Sequence, residues 1–422
     1  MRILFLTENF PPETNAAATR VFERACYWAK WGHEVTVVTC HPNFPEGKIY
    51  EGHENAWKTT EEMAGLKVIR VKTYIAANRG TARRMADFIS FFFTGGLAAA
   101  LAPKHDVIVA TSPQFFAAVA GWVAGLVRRT PFVFELGDIW PKSITAVGAM
   151  KKSLFIRLFE KVELFLYRRS AAVIALTRSF KRDLVSRDID GDKIAIVING
   201  VDLPRYAPRE RDAALARQWD LEGRFVVGYV GTHGMAHALS NVVAAAEVLK
   251  ARGIDKVTFM LAGAGAERDM IIERAKKNGI DGKQMRFLPM QPKAMMPAVW
   301  SLCDVALVHL KDSPTFAEVI PSKIFEAMGM GLPVLIAAPE GEATAIVRDD
   351  KAGLVVPAED PEALADAALK LCEDSDLRKE LATASHAAAA LHSREAQARQ
   401  FIEVLDEVVA DRGATAGKDH AA

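Results

Sequence analysis

Two glutamates, Glu318 and Glu326, lie eight positions apart with one lysine, Lys323, between them. A carboxylate accepts hydrogen bonds from two adjacent hydroxyls, as on a ribose or another sugar ring. An ammonium binds an anion such as a phosphate. These residue types therefore fit a ligand that carries hydroxyls and negative charge. By chance, two glutamates at this spacing occur in almost any chain this long, and Lys323 with Glu326 would also make an ordinary surface ion pair.

The sequence around these residues predicts a short helix. Pro321 suits the first helical position because it has no N–H to lose, and Gly331 suits the left-handed position just past a helix end. The helix is expected to run from Pro321 to about Met330. Its N-terminus would offer free N–H groups to a phosphate, aided by the Ser322 hydroxyl. A cation in the first turn does not help the helix itself, so an anionic ligand would explain Lys323.

Short β-branched runs alternate with helix-length segments along most of the chain, which indicates parallel sheets built from βαβ units. The alternation pauses in a polar stretch between about Asn199 and Gly223. We therefore predict an α/β protein with two doubly wound, Rossmann-like domains that face each other across a cleft. The expected boundaries are 1–203 and 204–393, with a helix at about 394–412 packing back on the first domain and a disordered tail at 413–422.

The bulk composition excludes some classes of function. The 422 residues carry 53 basic and 52 acidic side chains, without the basic excess that is usual for a nucleic-acid-binding protein. The four cysteines lie far apart and form no C-x-x-C pair, so neither a zinc site nor a disulfide framework is indicated. The first residues do not resemble a signal peptide. A cytoplasmic location is the simplest expectation.

The chain resembles a known family over nearly its whole length. The E-x7-E segment followed by Gly-Leu-Pro-Val is similar to the retaining glycosyltransferases of family 4, which have two Rossmann-like domains (the GT-B fold). Other segments that resemble this family, in the same order and spacing, are Pro11-Pro12, Gly32–Val35, Ile198–Asp202, Tyr229–Gly231 and Leu261–Gly265.

The resemblance implies that the chain transfers a sugar from a nucleotide-sugar donor with retention of configuration and without a metal or other cofactor. Glu318 would contact the donor sugar and Glu326 the ribose. The backbone from Ile320 through Pro321 to Lys323 would lie at the diphosphate and sugar. Lys323 would stabilise the leaving phosphate.

Other strand ends supply further candidates. Asn15 and Ala16 stand where many members of the family have two glycines that let the backbone approach the phosphates, although Asn15 also suits a helix N-cap. Asp138 follows a predicted strand and would orient a hydroxyl of donor or acceptor, or else cap a helix. The string Gly137–Pro141 resembles an R-D-[LI]-W-P motif of transferases in surface-polysaccharide and O-antigen synthesis, with Gly137 in place of the arginine.

The loop after Tyr229–Val230 departs from the family more seriously. Family members often supply an arginine and a lysine here to neutralise the diphosphate, and this chain has Gly231, His233 and His237 instead. An uncharged imidazole is a weak replacement for a cation, and a lone histidine in a glycine-rich turn, such as His233, is more often a bystander. Lys323 is therefore the expected cation of the donor site.

A membrane surface is a further expected partner. Arg83 and Arg84 precede an apolar run from Phe88 to Ala102, which is shorter than the roughly 20 residues of a spanning helix. A second segment, Phe155–Leu166, alternates basic with bulky apolar residues, and for it an ordinary amphipathic helix packed on the sheet is the preferred interpretation. Basic residues beside exposed apolar ones favour peripheral binding to the inner membrane face. The acceptor would then be lipid-linked, such as a polyprenyl-diphosphate sugar in cell-surface polysaccharide or lipopolysaccharide synthesis.

Two other functions fit the same fold. A nucleotide-sugar 2-epimerase shares the two-domain architecture and would change its substrate without any acceptor. A two-lobed sugar- or nucleotide-binding protein would show no turnover, and such proteins are usually exported with a signal sequence.

Overall fold

The structure is a computed structural model of the chain and describes residues 1–13, 15–76, 81–112, 114–139 and 154–419. It contains two compact units. The N-terminal unit consists of Met1–Asn199 with Gln397–Ala422, and the C-terminal unit of Gly200–Ala396. The units therefore divide near Asn199 rather than at 203, and the chain returns to the first unit at Gln397 rather than at 394.

An eight-stranded sheet forms the centre of the N-terminal unit, with the strand order β3-β4-β2-β1-β5-β6-β7-β8. All neighbours are parallel except β3 and β4. The strands are β1 (Arg2–Leu6), β2 (Glu34–Cys40), β3 (Lys58–Met63), β4 (Leu66–Val71), β5 (Val107–Thr111), β6 (Phe132–Leu136), β7 (Ala172–Ala175) and β8 (Ile194–Ile196).

Helices cover both faces of this sheet, so the central parallel strands β1, β5 and β6 are almost entirely buried. Two hydrophobic clusters lie on the two faces. Phe91 and Phe134 belong to one, and Trp28 and Phe401 to the other. The helices are α1 (Ala16–Lys30), α2 (Thr81–Leu101), α3 (Phe115–Arg128), α4 (Leu154–Arg169), α5 (Arg178–Ser186) and, from the chain end, α15 (Arg394–Asp419).

The C-terminal unit has a six-stranded parallel sheet with the strand order β11-β10-β9-β12-β13-β14. Its strands are β9 (Phe225–Val230), β10 (Val257–Ala262), β11 (Met285–Leu288), β12 (Val305–His309), β13 (Val334–Ala337) and β14 (Gly353–Val356). In both sheets the chain reverses its direction of strand addition at the centre, between β1 and β5 and between β9 and β12. Ligands of doubly wound proteins bind outside the carboxyl ends of the strands at such a reversal.

The helices of the C-terminal unit are α6 (Ala213–Gln218), α7 (Ser240–Ala251), α8 (Arg268–Lys277), α9 (Met296–Trp300), α10 (Pro314–Ala317), α11 (Lys323–Gly329), α12 (Glu342–Asp349), α13 (Pro361–Glu373) and α14 (Ser375–Ala389). Short 3-10 turns occupy Met235–His237 and Lys293–Met295. Helix α13 begins at Pro361, and the Asp360 carboxylate caps it by accepting from the Ala363 N–H.

The predicted fold class is confirmed, but single elements differ. Strand β3 was not predicted, because its sequence Lys-Thr-Thr-Glu-Glu-Met is polar. It forms by antiparallel pairing with β4 at the sheet edge, where its side chains stay in water. Helix α15 continues to Asp419, beyond the predicted end at 412, so most of the segment expected to be a disordered tail is helical. Residues 420–422 lie outside the described part of the chain.

Helix α2 is longer than its apolar run indicated. Arg83–Leu101 is long and apolar enough to cross a membrane by length and composition alone, which corrects the expectation that this segment is too short. One face of α2 packs on α3 and on the sheet, with Phe91 fully buried. Its other face carries Phe93, Leu97 and Leu101, each more than 60% exposed. The helix is thus half embedded in the N-terminal unit.

Candidate functional site

Lys323 occupies the first position of α11 and is buried, with 8% of its surface exposed. Its Nζ lies 3.5 Å from the centroid of the Tyr229 ring, at the end of β9. Within the part of the chain that the structure describes, this ammonium has no hydrogen-bond partner. A Cβ on Gly231 would lie 3.0 Å from the same Nζ, and Gly231 has a φ of +149°. Glycine at 231 therefore leaves the space that the lysine occupies.

Three histidines lie close to this lysine. His233 follows β9 and is fully buried, with its backbone N–H donating to the Ala264 carbonyl and both ring nitrogens unpartnered among the described residues. The Nδ1 of His237 lies 3.3 Å from the His309 carbonyl oxygen, so it must carry the proton. Together with Lys323 and Tyr229, these residues are called the lysine–histidine cluster: Tyr229, His233, His237, His309 and Lys323.

Burial sets the charges of the cluster. Desolvation lowers the pKa of Lys323 to about 7, and Glu326 partly offsets this effect. Desolvation also lowers the pKa values of His233, His237 and His309 to about 4, and the Lys323 charge lowers them further. The histidines are therefore neutral at pH 7. Lys323 holds whatever positive charge the cluster itself carries.

Arg268 is a cation near the cluster that the sequence analysis did not single out. It is the first residue of α8, and its Nε donates to the Gly263 carbonyl at 3.1 Å, just past the end of β10. Its charge helps to lower the pKa of His233. Its position in the sequence could have identified it, because Arg268 lies three residues after the Gly263–Gly265 turn, which follows β10 at the same sheet edge as Gly231.

Glu326 bonds a tryptophan from another helix. Its Oε2 accepts a hydrogen bond from the Trp300 indole at 3.1 Å, and burial raises the pKa of its carboxyl. The surface ion pair that the spacing of Lys323 and Glu326 also allowed does not form. The Lys323 ammonium lies over the Tyr229 ring, and the Glu326 carboxylate bonds the Trp300 indole.

The loop before α11 differs from the prediction. Residues Pro314–Ala317 already form a short helix with Glu318 as its C-cap, so α11 starts at Lys323 and not at Pro321. Ile320, Pro321 and Ser322 bridge the two helices. Carbonyl groups of Pro321 and Ser322 accept the first hydrogen bonds of α11, and the Ser322 side chain makes no capping bond. Gly331 has a φ of +69°, which confirms the predicted left-handed end.

The remaining predicted residues lie in the N-terminal unit. The Asn15 side chain accepts from the Ala18 N–H at 2.9 Å, so its N-cap interpretation is confirmed, and Ala16 is the first residue of α1. Asp138 follows β6, where its carbonyl and N–H both bond the Ser112 hydroxyl. Trp140 and Pro141 of the motif-like string lie outside the described residues.

Gly137 is explained by Arg20. A Cβ at position 137 would lie 2.8 Å from Nη2 of Arg20 and 2.5 Å from the Ser112 carbonyl oxygen. Arg20 comes from α1, and its Nη2 donates to the Thr111 hydroxyl at 3.2 Å. A guanidinium thus lies beside position 137 although the residue there is glycine. The positive charge that the R-D-[LI]-W-P motif carries in its first residue comes here from another element.

Substituting Gly137 by alanine is expected to lower the free energy of unfolding by about 1–3 kcal/mol, the usual effect of overpacking. The new methyl group would have to displace a backbone carbonyl, which cannot rotate away. Urea unfolding measures the loss. Gly234→Ala is the matched control, because its added Cβ would meet only a methyl group at 3.6 Å. Equal stability of the two variants would contradict this packing.

Comparison with known proteins gives the class. Residues 15–200 match the model of a glycosyl transferase 4-like domain, and residues 213–387 match that of glycosyl transferases group 1. These two matches include every described strand of the two sheets except β1. The chain is therefore a glycosyltransferase with two Rossmann-like domains.

Particular relatives support this class. The chain is 25% identical over 351 residues to WcaI of Escherichia coli (strain K12), named as a colanic acid biosynthesis glycosyl transferase, covering 80% of this chain and 83% of that one. It is 32% identical to D-inositol 3-phosphate glycosyltransferase of Salinispora tropica over 57% of this chain, and spans about half of that protein (51%). Among solved structures, Anabaena HepE in complex with UDP has a TM-score of 0.70 at 19% identity, over 96% of this chain and 100% of that one.

Proposed function

We propose that this glycosyltransferase moves a hexosyl or N-acetylhexosaminyl group from a nucleoside-diphosphate sugar to a lipid-linked saccharide, with retention of configuration. The observation that carries the proposal is the buried Lys323 ammonium at the strand reversal of the C-terminal sheet. A buried cation without a partner is unfavourable unless a ligand supplies the countercharge. The diphosphate of a donor is such a ligand, and it would sit where the sheet topology favours binding.

Other residues would act around this charge. Lys323 would stabilise the leaving phosphate as the glycosidic bond breaks. The partly buried Glu326 carboxyl would bind the ribose hydroxyls and Glu318 the donor sugar, with the backbone from Ile320 to Ser322 alongside. In the N-terminal unit, Asn15 and Ala16 would contribute backbone near the phosphates, and Asp138 would orient a hydroxyl.

The comparisons supply the chemical class of donor and product. HepE has been solved with UDP and with UDP-glucose, so a uridine nucleotide is the first donor to test. The name of WcaI favours cell-surface polysaccharide synthesis.

Among the described residues no group of three or more His, Cys, Asp or Glu side chains is arranged to hold a metal ion. We expect turnover to persist in EDTA.

A donor screen followed by product analysis tests the proposal. Nucleotide sugars that raise the melting temperature are incubated with a polyprenyl-diphosphate-linked sugar, and NMR determines the configuration at the new anomeric carbon. Transfer with the donor's configuration is the expected result. The donor incubated alone is the control: a change of the sugar without acceptor would show an epimerase and overturn the proposal.

We further propose that the N-terminal unit binds the inner membrane face through α2 and its neighbours. Phe93, Leu97 and Leu101 recur every four residues, so they form one apolar stripe. Leu126 and Val127 at the end of α3 are also more than 60% exposed and precede Arg128 and Arg129. Exposed apolar side chains beside basic ones fit a surface of anionic lipid. On α4, the exposed Leu158 and Phe165 agree with this proposal. The basic residues Arg79, Lys151 and Lys152, which precede the two apolar segments in the sequence, lie outside the described residues.

The double variant Arg83→Gln/Arg84→Gln is expected to bind anionic vesicles about 30-fold more weakly, because each basic residue near such a surface contributes about 1 kcal/mol. Both side chains are exposed at the start of α2. Vesicle sedimentation measures the affinity, with zwitterionic vesicles and the exposed Lys379→Met on α14 as controls. Unchanged binding to anionic vesicles would rule out the electrostatic part of the proposal.

A further inference from the structure

Helix α11, whose first residue is Lys323, is held at its far end by two neighbouring segments. A Cβ on Gly329 would lie 2.8 Å from the Tyr206 carbonyl oxygen, so the chain at Tyr206 lies directly against the last turn. Just past the helix, the Leu332 carbonyl accepts from the Ser385 hydroxyl of α14 at 2.7 Å. These contacts fix the last turn of α11, whereas Lys323 lies in the first.

A pair of stacked rings supports the first turn. Phe325 is fully buried, and its ring centroid lies 4.8 Å from that of His392, with an angle of 30° between the ring planes. Successive residues of an α-helix are about 100° apart, so Phe325 and Lys323 point about 200° apart, to opposite sides of α11. The His392 ring therefore contacts the helix on the side opposite the ammonium.

Asp350 fixes the orientation of the His392 ring. The His392 Nε2 lies 2.7 Å from Oδ2 of Asp350, the residue that directly follows α12. A carboxylate oxygen accepts, so Nε2 carries the proton and donates it. The His392 backbone is fixed as well, because its carbonyl accepts from the Val201 N–H at 2.9 Å. The residue is thus held at its backbone, at the edge of its ring and on the face of its ring.

Packing alone does not explain a histidine at position 392. An apolar ring would cover Phe325 equally well and would need no hydrogen-bond partner. The side chains of His392 and Asp350 are 15% and 17% exposed, and a partly exposed pair contributes little to stability. The hydrogen bond does fix the plane of the ring, and residues that support a binding site are commonly locked in this way. The pair therefore orients the ring on Phe325 more than it stabilises the fold.

We infer that His392 is a positioning residue of the donor site. Through its stack on Phe325 it sets the position of the Lys323 ammonium, a role that rests on the proposed function because it takes this ammonium to bind the donor diphosphate. Neither His392 nor Asp350 belongs to the lysine–histidine cluster, so both act through the body of α11. A misplacement of about 1 Å is enough to lower activity about 100-fold, so a small tilt of the helix matters.

Calorimetric titration of the full chain with UDP tests this role. Asp350→Ala is expected to weaken UDP binding about fivefold, because the freed ring lets α11 tilt. Asp350→Asn should bind UDP within about twofold of the wild type, since its amide oxygen still accepts from Nε2. The matched control is Asp349→Ala, which removes the exposed neighbouring carboxylate of α12 and should change nothing.

His392→Phe separates the orientation of the ring from its packing. Phenylalanine keeps a ring on Phe325 and loses the hydrogen bond to Asp350, so the variant should fold with little change in melting temperature. UDP should nevertheless bind about fivefold more weakly, as in Asp350→Ala. Wild-type UDP affinity in His392→Phe would show that the ring serves packing only, and would overturn the positioning role.

The same substitutions in a Lys323→Met background separate positioning from a general loss of structure. If His392 acts through the ammonium, Asp350→Ala should change UDP affinity less than about twofold once the ammonium is gone. Wild-type affinity in Asp350→Ala, or the same loss in both backgrounds, would overturn the positioning role alone. UDP affinity that Lys323→Met leaves unchanged would instead remove the donor site, and the positioning role with it.

Discussion

Lys323→Met is expected to lower kcat/KM for the donor by about 10²–10³-fold, the usual effect of removing one charge-stabilising group from an active site. Methionine keeps the length of the side chain and its contact with the Tyr229 ring, while removing the charge. The neighbouring histidines cannot replace that charge, because their pKa values of about 4 leave them neutral at pH 7. Initial-rate kinetics measure the effect, with the exposed Lys379→Met as the matched control. A loss below about threefold would remove Lys323 from the mechanism.

The same lysine predicts a pH dependence. Its pKa of about 7 in the free protein means that the ammonium is lost as pH rises through neutrality. Because kcat/KM reports on the free enzyme, it should fall above pH 7 by up to tenfold per pH unit, and Lys323→Met should not show this decrease.

The free energy of unfolding should change in the opposite direction. The unfolded chain keeps the lysine proton up to about pH 10.5, so stability rises between pH 7 and that value. Urea titrations at several pH values measure this.

Glu135→Gln is expected to lower the free energy of unfolding by about 3–5 kcal/mol, because it leaves a buried guanidinium without its countercharge. Arg24 is fully buried, with its Nη1 2.8 Å from Glu135 Oε1, and Arg20 Nε lies 3.3 Å from the same oxygen. The Arg24 guanidinium also lies 3.9 Å from the centroid of the Phe401 ring of α15. Urea denaturation monitored by circular dichroism measures the loss.

Asp106→Asn is the matched control for this ion pair. Its partner Arg2 is 44% exposed at 2.8 Å, so the substitution should cost at most about 1 kcal/mol. Similar losses of unfolding free energy in Glu135→Gln and Asp106→Asn would contradict the prediction that the buried ion pair contributes more to stability than the exposed one. The pKa of Glu135 is lowered to about 2 despite burial, because Arg24 and Arg20 outweigh the desolvation. Its contribution to stability is therefore present above about pH 4.5 and is lost as pH falls through 2.

Much of the fold follows from hydrophobic periodicity. The runs Val107–Thr111 and Phe132–Leu136 are of strand length and mostly apolar, with Thr111 and Glu135 as their polar members, and both are strands. Strand β3 could not be predicted from hydrophobic periodicity, because its side chains are polar and mostly exposed and its conformation comes from pairing with β4. The extension of α15 had no sequence signal either, since its last turns contain glycine and alanine without an apolar face.

The sequence predicted where the site residues lie in the fold better than it predicted which side chains they contact. Strand ends identified Gly231, His233 and the segment around Lys323, because the sheet topology determines where they lie. The contacts of Lys323 and Glu326 could not be read from spacing. Tyr229 comes from β9 and Trp300 from α9, and only the tertiary packing brings these rings to the two side chains. The burial that lowers the pKa of Lys323 has the same origin.

Calorimetric titration with UDP tests the donor site most directly. The wild-type chain is expected to bind one UDP, and Lys323→Met to bind it at least tenfold more weakly, with Lys379→Met unchanged. Because the bound diphosphate stabilises the ammonium, wild-type binding at pH 8 should also take up protons, which appears as a dependence of the measured heat on the buffer's ionisation enthalpy. Equal UDP affinity in the wild type and Lys323→Met, or binding without proton uptake, would contradict a donor site built on Lys323.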